Sequence, residues 1–186
     1  MQNRKMDFVV LNGGSSAGKT SIARCLQDRL MPDPWLTFAV DDLITALPPS
    51  AIGHESVITF NPDGIVGIGP TFDRLEANWI DGLTAMARAG TGIILDELFL
   101  DGRTSQRRLR SRLAGLDILW VGVHCDPEVA RVRAATRPNR NADTAASRAY
   151  AVHAGVTYEI DVDTTEMGSG VCADLVAERI AAGPGS

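Results

Sequence analysis

Apolar and polar positions fall along the chain in two alternating textures. Short, nearly continuous apolar runs at residues 8–11, 36–40, 92–95, 118–124 and 158–162 have the pattern of strands buried on both faces. Longer stretches at 19–30, 71–88, 104–114, 127–135 and 171–181 carry their apolar residues at helical spacing. Strand and helix in turn predict an α/β fold, with a central five-stranded parallel sheet and helices on both faces. Punctuation marks several boundaries. Pro70 with Thr71 opens one helix and Gly90 closes it, while Asp126 before Pro127 is an N-cap with proline in the first turn.

Two segments break this alternation. "SVITFNPDGIVGIG" places two β-type runs around the turn signal NPDG, so residues 56–69 read as a hairpin inserted outside the main sheet. "TRPNRNADTAAS", residues 136–147, is polar and arginine-bearing and reads as a small lid. No internal repeat or low-complexity segment interrupts the chain, and residues 1–186 are expected to form a single domain.

The most informative stretch is "LNGGSSAGKTS". Gly13, Gly18, Lys19 and Thr20 satisfy G-x-x-x-x-G-K-[ST] at each fixed position, between a predicted strand and a predicted helix. In such a loop the backbone N–H groups of Gly13, Gly14, Ser15, Ser16, Ala17, Gly18, Lys19 and Thr20 turn inward on phosphate oxygens, and the helix that follows adds the positive end of its dipole. Lys19 is expected to reach the β- and γ-phosphates and the Thr20 hydroxyl to bind Mg²⁺.

A phosphate loop alone does not separate a switch, a motor and a kinase, so other residues have to decide. Asp96 follows the apolar run 92–95, where a carboxylate can hold the metal through its water shell; the competing reading makes it a helix N-cap. Asp41 and Asp42 close the second strand at the sheet edge where open α/β folds bind ligands. One is expected to meet an acceptor hydroxyl and the other to cap the short helix that follows, with the choice between them open. Arg137 and Arg140 lie in the lid segment, and a planar guanidinium suits the charge on a transferring phosphoryl group. Arg131 and Arg133 precede them on the 127–135 helix and are expected to be solvated.

Composition narrows the partners. A net charge of −5 disfavours nucleic acid. The basic cluster 103–112 has leucines at helical spacing, as expected of a wet helix face. No uncharged apolar stretch approaches the roughly 20 residues that cross a bilayer, and the amino end is too weakly apolar for a signal peptide, so a cytoplasmic protein without a membrane partner is expected. Cys25, Cys125 and Cys172 are odd in number and widely spaced, which points to reduced thiols rather than a disulfide framework or a zinc site. His54, His124 and His153 lack metal-site spacing. His124 within an apolar run reads as a core residue, and His54 falls near the expected acceptor pocket. Of the aromatic residues, Phe72 and Trp79 are the candidates for a pocket wall, with Trp35 and Trp120 in the core. The sequence leaves a homo-oligomer open.

The stretches "LNGGSSAGKTSIARCLQ", "PDPWLTFAVDDLI", "IGPTFDRLEANW", "AMARAGTGIILDELFL", "LDILWVGVHCD" and "VDTT" together closely resemble the chloramphenicol phosphotransferases, small P-loop kinases related to adenylate and shikimate kinases. The resemblance runs from Val10 to Thr165. It implies a P-loop kinase fold and transfer of the ATP γ-phosphate to the 3-hydroxyl of the antibiotic. It also implies that Asp41 acts on that hydroxyl, since the family pattern has V-D followed by serine where this chain has Asp42. The lid motif R-G-D-R of that family falls on Arg137 and Arg140, here with "RPNR". The acceptor is therefore expected to be a small hydroxylated molecule, with ATP and Mg²⁺ as cofactors. Two other readings stay open: a kinase for a metabolite or sugar-nucleotide hydroxyl, as in the zeta toxins, and a nucleotide-gated switch without transfer. The chain lacks the N/T-K-x-D guanine-reading motif, which disfavours a GTPase.

Overall fold

The computed structural model describes residues 6–61, 66–136 and 151–183. The main sheet holds β1 (Phe8–Gly13), β2 (Leu36–Ala39), β5 (Ile93–Glu97), β6 (Ile118–His124) and β7 (Ile160–Asp163), in the order β2-β5-β1-β6-β7. Every pairing in it is parallel. The expected five-stranded parallel sheet is therefore present, with β1 at its centre. Two further strands, β3 (Ile58–Phe60) and β4 (Val66–Ile68), pair antiparallel in a separate small sheet.

β1 explains why its residues read as a continuous apolar run. Val9 and Leu11 point into one apolar cluster with Ile22, Leu26, Ala173 and Val176, while Phe8 and Val10 point into another with Leu83, Leu109, Leu113 and Trp120. A strand whose side chains alternate between two cores has no polar face to show. Helices α1 (Lys19–Arg29) and α6 (Ser169–Ala182) cover the first face; α3 (Pro70–Arg88) and α4 (Arg103–Arg112) cover the second. α5 (Pro127–Ala135) is capped as its sequence suggests, with Asp126 Oδ1 accepting from Glu128 N at 2.9 Å and Val129 N at 3.2 Å.

The arginines of α4 are less solitary than a wet face implies. Arg112 meets both Asp81 carboxylate oxygens at 3.0 Å, and Arg110 lies 5.0 Å over the buried Trp120 ring. A third, smaller apolar cluster lies outside the two main cores. Val57, Ile58 and Phe72 pack there with Val40, Leu43, Ile44 and Leu47, joining the short helix α2 (Val40–Thr45) to the β3–β4 pair and the start of α3. No helix among the described residues is long and apolar enough to cross a membrane. The three cysteines are unpaired thiols.

Candidate functional site

The site grows out of the end of β1. Gly13 closes the strand against β6, where a Cβ would stand 2.3 Å from the Val123 carbonyl oxygen, so the chain turns there only with glycine. The loop then bends through two left-handed residues, Ser16 at φ 61° and Gly18 at φ 93°, before α1 begins at Lys19. The loop thus leads directly into the N-terminus of α1, whose dipole has its positive end there. Ser16 Oγ is buried and has no hydrogen-bond partner among the described residues. A buried hydroxyl without a partner is costly unless a ligand oxygen satisfies it, and this one sits where the loop curls.

Lys19, only 8% exposed, folds back over the loop. Its Nζ donates to the carbonyl oxygens of Gly13 at 2.9 Å and Gly14 at 3.0 Å, and lies 3.5 Å from Asp96 Oδ1. Thr20 Oγ1 donates to the other oxygen, Asp96 Oδ2, at 2.6 Å. Asp96 sits within β5, paired in register with Leu11 of β1 and Ala39 of β2, and so emerges at the carboxyl edge of the sheet rather than capping a helix. A threonine hydroxyl and a carboxylate oxygen converging this way are hard oxygen donors of the kind Mg²⁺ takes. Among the described residues no three His, Cys, Asp or Glu side chains gather into a metal cage. Any Mg²⁺ held here would therefore complete its shell with water and phosphate oxygens, as is usual for that ion.

Next to Asp96, Glu97 is buried, and that burial pushes its carboxyl up to about 8, with the nearby Glu76 acting in the same direction. Its Oε2 accepts from Leu98 N at 3.2 Å. Burial thus favours the neutral form of the Glu97 carboxyl over the charged one.

Because Ala39 is the last residue of β2 and pairs with Asp96, the two aspartates that follow leave the sheet beside this carboxylate. The strand does not persist to them. They lie in the first turn of α2, where Asp42, the third helical residue, accepts through Oδ2 from the N–H of the N-cap residue Ala39 at 2.8 Å and so caps the helix start. Asp41 is exposed on the same turn. His54 is exposed in the turn before β3, its Nδ1 2.9 Å from Ser56 Oγ. Phe72 is 2% exposed and packed into the third apolar cluster, and Trp79 packs half-buried against the second. Arg137 and Arg140 lie outside the described residues.

Two expectations are corrected. Arg131 does pair on the surface with Glu128, but Arg133 is not solvated: it is half-buried and hydrogen-bonded to Cys125 and Thr164. Helical spacing alone could not show that the loop after β7 lies against this face of α5. His124 is not a core residue either. It ends β6, where the strand emerges from the core, and its Nε2 lies 2.6 Å from Asp161 Oδ1 while its ring stacks on His153 at 4.1 Å.

Sequence reasoning also missed Asn12, fully buried at the end of β1. Its amide donates to the Tyr158 hydroxyl at 2.6 Å and the Val152 carbonyl at 2.9 Å, and its Oδ1 accepts from Phe99 N at 2.9 Å. The signal available was an amide side chain inside a buried apolar strand, which needs partners. The Tyr158 hydroxyl, which accepts from Asn12, also lies within hydrogen-bond distance of His153 Nδ1, at 2.7 Å. Burial pushes Tyr158 up to about 12, and burial together with His124 pushes His153 down to about 4. His124, Asp126, Asp163, Thr165 and Glu166 line a cleft of about 560 Å³ at the carboxyl end of β6 and β7, next to the phosphate-loop side of the sheet.

Comparison with known proteins agrees with this architecture. The model of the family described as chloramphenicol phosphotransferase-like protein matches residues 6–181. A protein of Mycobacterium tuberculosis (strain H37Rv) named "Putative O-phosphotransferase" is 30% identical over 170 residues, covering 85% of this chain and 75% of its own. Among solved structures, a sugar kinase from Janibacter sp. superposes with a TM-score of 0.68 at 20% identity, covering 95% of this chain and 96% of that one. The tunicamycin resistance protein of Deinococcus radiodurans gives 0.63 at 24% identity, covering 96% and 95%. Shikimate kinase from Acinetobacter baumannii gives 0.59 at 13% identity, also covering 96% and 95%. At these identities the likeness establishes the P-loop kinase fold.

Proposed function

Because the chain belongs to the chloramphenicol phosphotransferase-like family, we propose that it transfers the γ-phosphoryl group of ATP to a hydroxyl of a small molecule, with chloramphenicol or a related antibiotic, at its 3-hydroxyl, as the acceptor. The observation that carries the reading is the convergence of Lys19, Thr20 and Asp96 at the mouth of a glycine loop that ends on a helix N-terminus. Ser16, with its unpartnered buried hydroxyl in the same loop, supports an oxyanion as the ligand.

In this reading the loop amides and Lys19 hold the β- and γ-phosphates, and Thr20 and Asp96 hold Mg²⁺. The metal supplies charge neutralisation on the phosphate oxygens. Phosphoryl transfer has a loose transition state, so the chain's own part is positioning and electrostatics rather than covalent chemistry. Asp41, on the turn that leaves the sheet beside Asp96, aligns the acceptor hydroxyl and accepts its proton as the new P–O bond forms and the bond from the γ-phosphorus to the β,γ-bridging oxygen breaks, releasing ADP. Arg137 and Arg140 are assigned to the charge on the transferring group. His54, Phe72 and Trp79 are assigned to the acceptor side, Phe72 from the third apolar cluster and Trp79 from the edge of the second. The cytoplasm is the compartment this chemistry suits.

Incubation with ATP, Mg²⁺ and a panel of hydroxylated antibiotics, sugars and sugar nucleotides, followed by mass spectrometry, tests the proposal. A phosphorylated antibiotic is the expected product. Phosphorylation of a sugar nucleotide alone moves the acceptor to a metabolite, and no product from any acceptor removes the transferase reading. With the acceptor in hand, Asp41→Asn should lower kcat by about 10²–10⁴-fold while ATP binding stays nearly unchanged. An Asp41→Asn enzyme with full kcat would take Asp41 out of the chemistry.

A further inference from the structure

Thr164 is the first residue past β7 and is 1% exposed. Its N–H donates to the His124 carbonyl at 2.9 Å, which fixes its backbone to the end of β6. Its Oγ1 lies 2.7 Å from the carbonyl oxygen of Ala17 and 3.2 Å from that of His124. From α5, Arg133 Nη1 donates to the same Oγ1 at 3.0 Å and Nη2 donates to the Thr164 carbonyl at 2.7 Å. A guanidinium can only donate, so the hydroxyl accepts from Arg133 and must send its single proton on to a carbonyl. The shorter partner is Ala17. The result is a directed chain from Arg133 through Thr164 to the phosphate loop, with a cation at its head that strengthens the bond after it.

Ala17 and Gly18 share a planar trans peptide, in which the C=O and the N–H point opposite ways. Pinning the Ala17 carbonyl down onto Thr164 therefore aims the Gly18 N–H to the other side, where α1 begins. Packing adds to this, because a Cβ on Gly18 would stand 3.5 Å from Thr164 Cγ2, so the methyl group supports the left-handed turn from beneath.

We infer that Arg133 and Thr164 are positioning residues for the nucleotide: a hydrogen-bond relay from α5 through the loop after β7 that sets the Ala17–Gly18 peptide of the phosphate loop. This rests on the proposal that the loop holds the phosphates of ATP. Neither residue needs to touch the substrate for its loss to matter, since both act through the peptide plane.

The test is calorimetric titration of ATP in the presence of Mg²⁺ into the full chain, which needs no knowledge of the acceptor. Thr164→Val, which keeps shape but loses the hydroxyl, should weaken ATP about tenfold, the usual range for losing a hydrogen bond to a charged donor. Thr164→Ser should bind within twofold of wild type. Arg133→Gln should lose about as much as Thr164→Val, and the double variant no more than twofold beyond either, because the two act in series. Should Thr164→Val fail to fold, Arg133→Gln at its partly exposed helix position and the serine variant carry the same comparison. Wild-type affinity in both Thr164→Val and Arg133→Gln, failure of serine to rescue, or additive losses in the double variant would overturn the relay while leaving the nucleotide reading intact. A wild-type chain that binds no ATP overturns that reading and the relay with it.

Discussion

Ser16 is the residue where the phosphate loop stores strain. Its φ of 61° costs a residue with a Cβ about 1–2 kcal/mol. Its hydroxyl is also buried without a partner, at a further cost of about 1–3 kcal/mol. Ser16→Gly removes both and adds about 0.5–1 kcal/mol of backbone entropy. Thermal melts without nucleotide should therefore show Ser16→Gly more stable than wild type; a lower Tm would mean the loop relies on the side chain even when it binds nothing. His153 sets a pH dependence of a different kind. Its folded value near 4 lies below its ordinary 6.5, so between these values the unfolded chain binds more protons and stability falls as pH falls. The stabilising effect of a neutral His153 is complete above 6.5 and is lost as the pH drops through about 4. His124 stacked on it, Asp161 beyond His124, Lys19 and Tyr158 are the titratable groups around it. Tm measured from pH 7 to 4 should slope less steeply in His153→Gln than in wild type, and equal slopes would assign the acid sensitivity to another group.

Among the elements, α5 carries a cap that its sequence announces. Asp126 accepts from two backbone amides of the first turn, and Pro127 occupies a position where no amide is needed. Asp126→Ala should cost about 1 kcal/mol, or roughly 2–4 °C in Tm for a chain of this size. A change within error in chemical denaturation would mean that packing alone fixes this helix. The hydrophobic pattern located α5, yet it misjudged Arg133, because the partner of that arginine lies on the loop after β7, 31 residues away. α2 shows the converse. The run that read as a strand through Val40 ends at Ala39, since Asp42 accepts the Ala39 amide and starts a helix before the second strand can continue.

For the whole molecule, two apolar layers clamp the sheet and leave its carboxyl edge open, so a ligand seated there adds stability by mass action. ATP with Mg²⁺ at about a hundredfold over Kd should stabilise by roughly 2.7 kcal/mol, which is about 5–10 °C in Tm here. Chelating the metal should shrink that shift. An unchanged melting curve with saturating ATP and Mg²⁺ would mean that the loop does not hold nucleotide.

The sheet, its helices and the position of the phosphate loop could be read from the sequence because they are local properties. Strand and helix periodicity, glycine spacing and caps depend on neighbours within one turn or one strand. The approach of Asp96 to Thr20 was legible in outline for the same reason, as an acid at the end of an apolar run. What tertiary structure alone decided is which polar side chains meet across the sheet. Asn12 with Tyr158, His124 with Asp161, and Arg133 with Thr164 join residues separated by 146, 37 and 31 positions. Their pairing follows from the strand order that sets β6 and β7 beside β1, and that order comes from burying both faces of the sheet rather than from any run of adjacent residues.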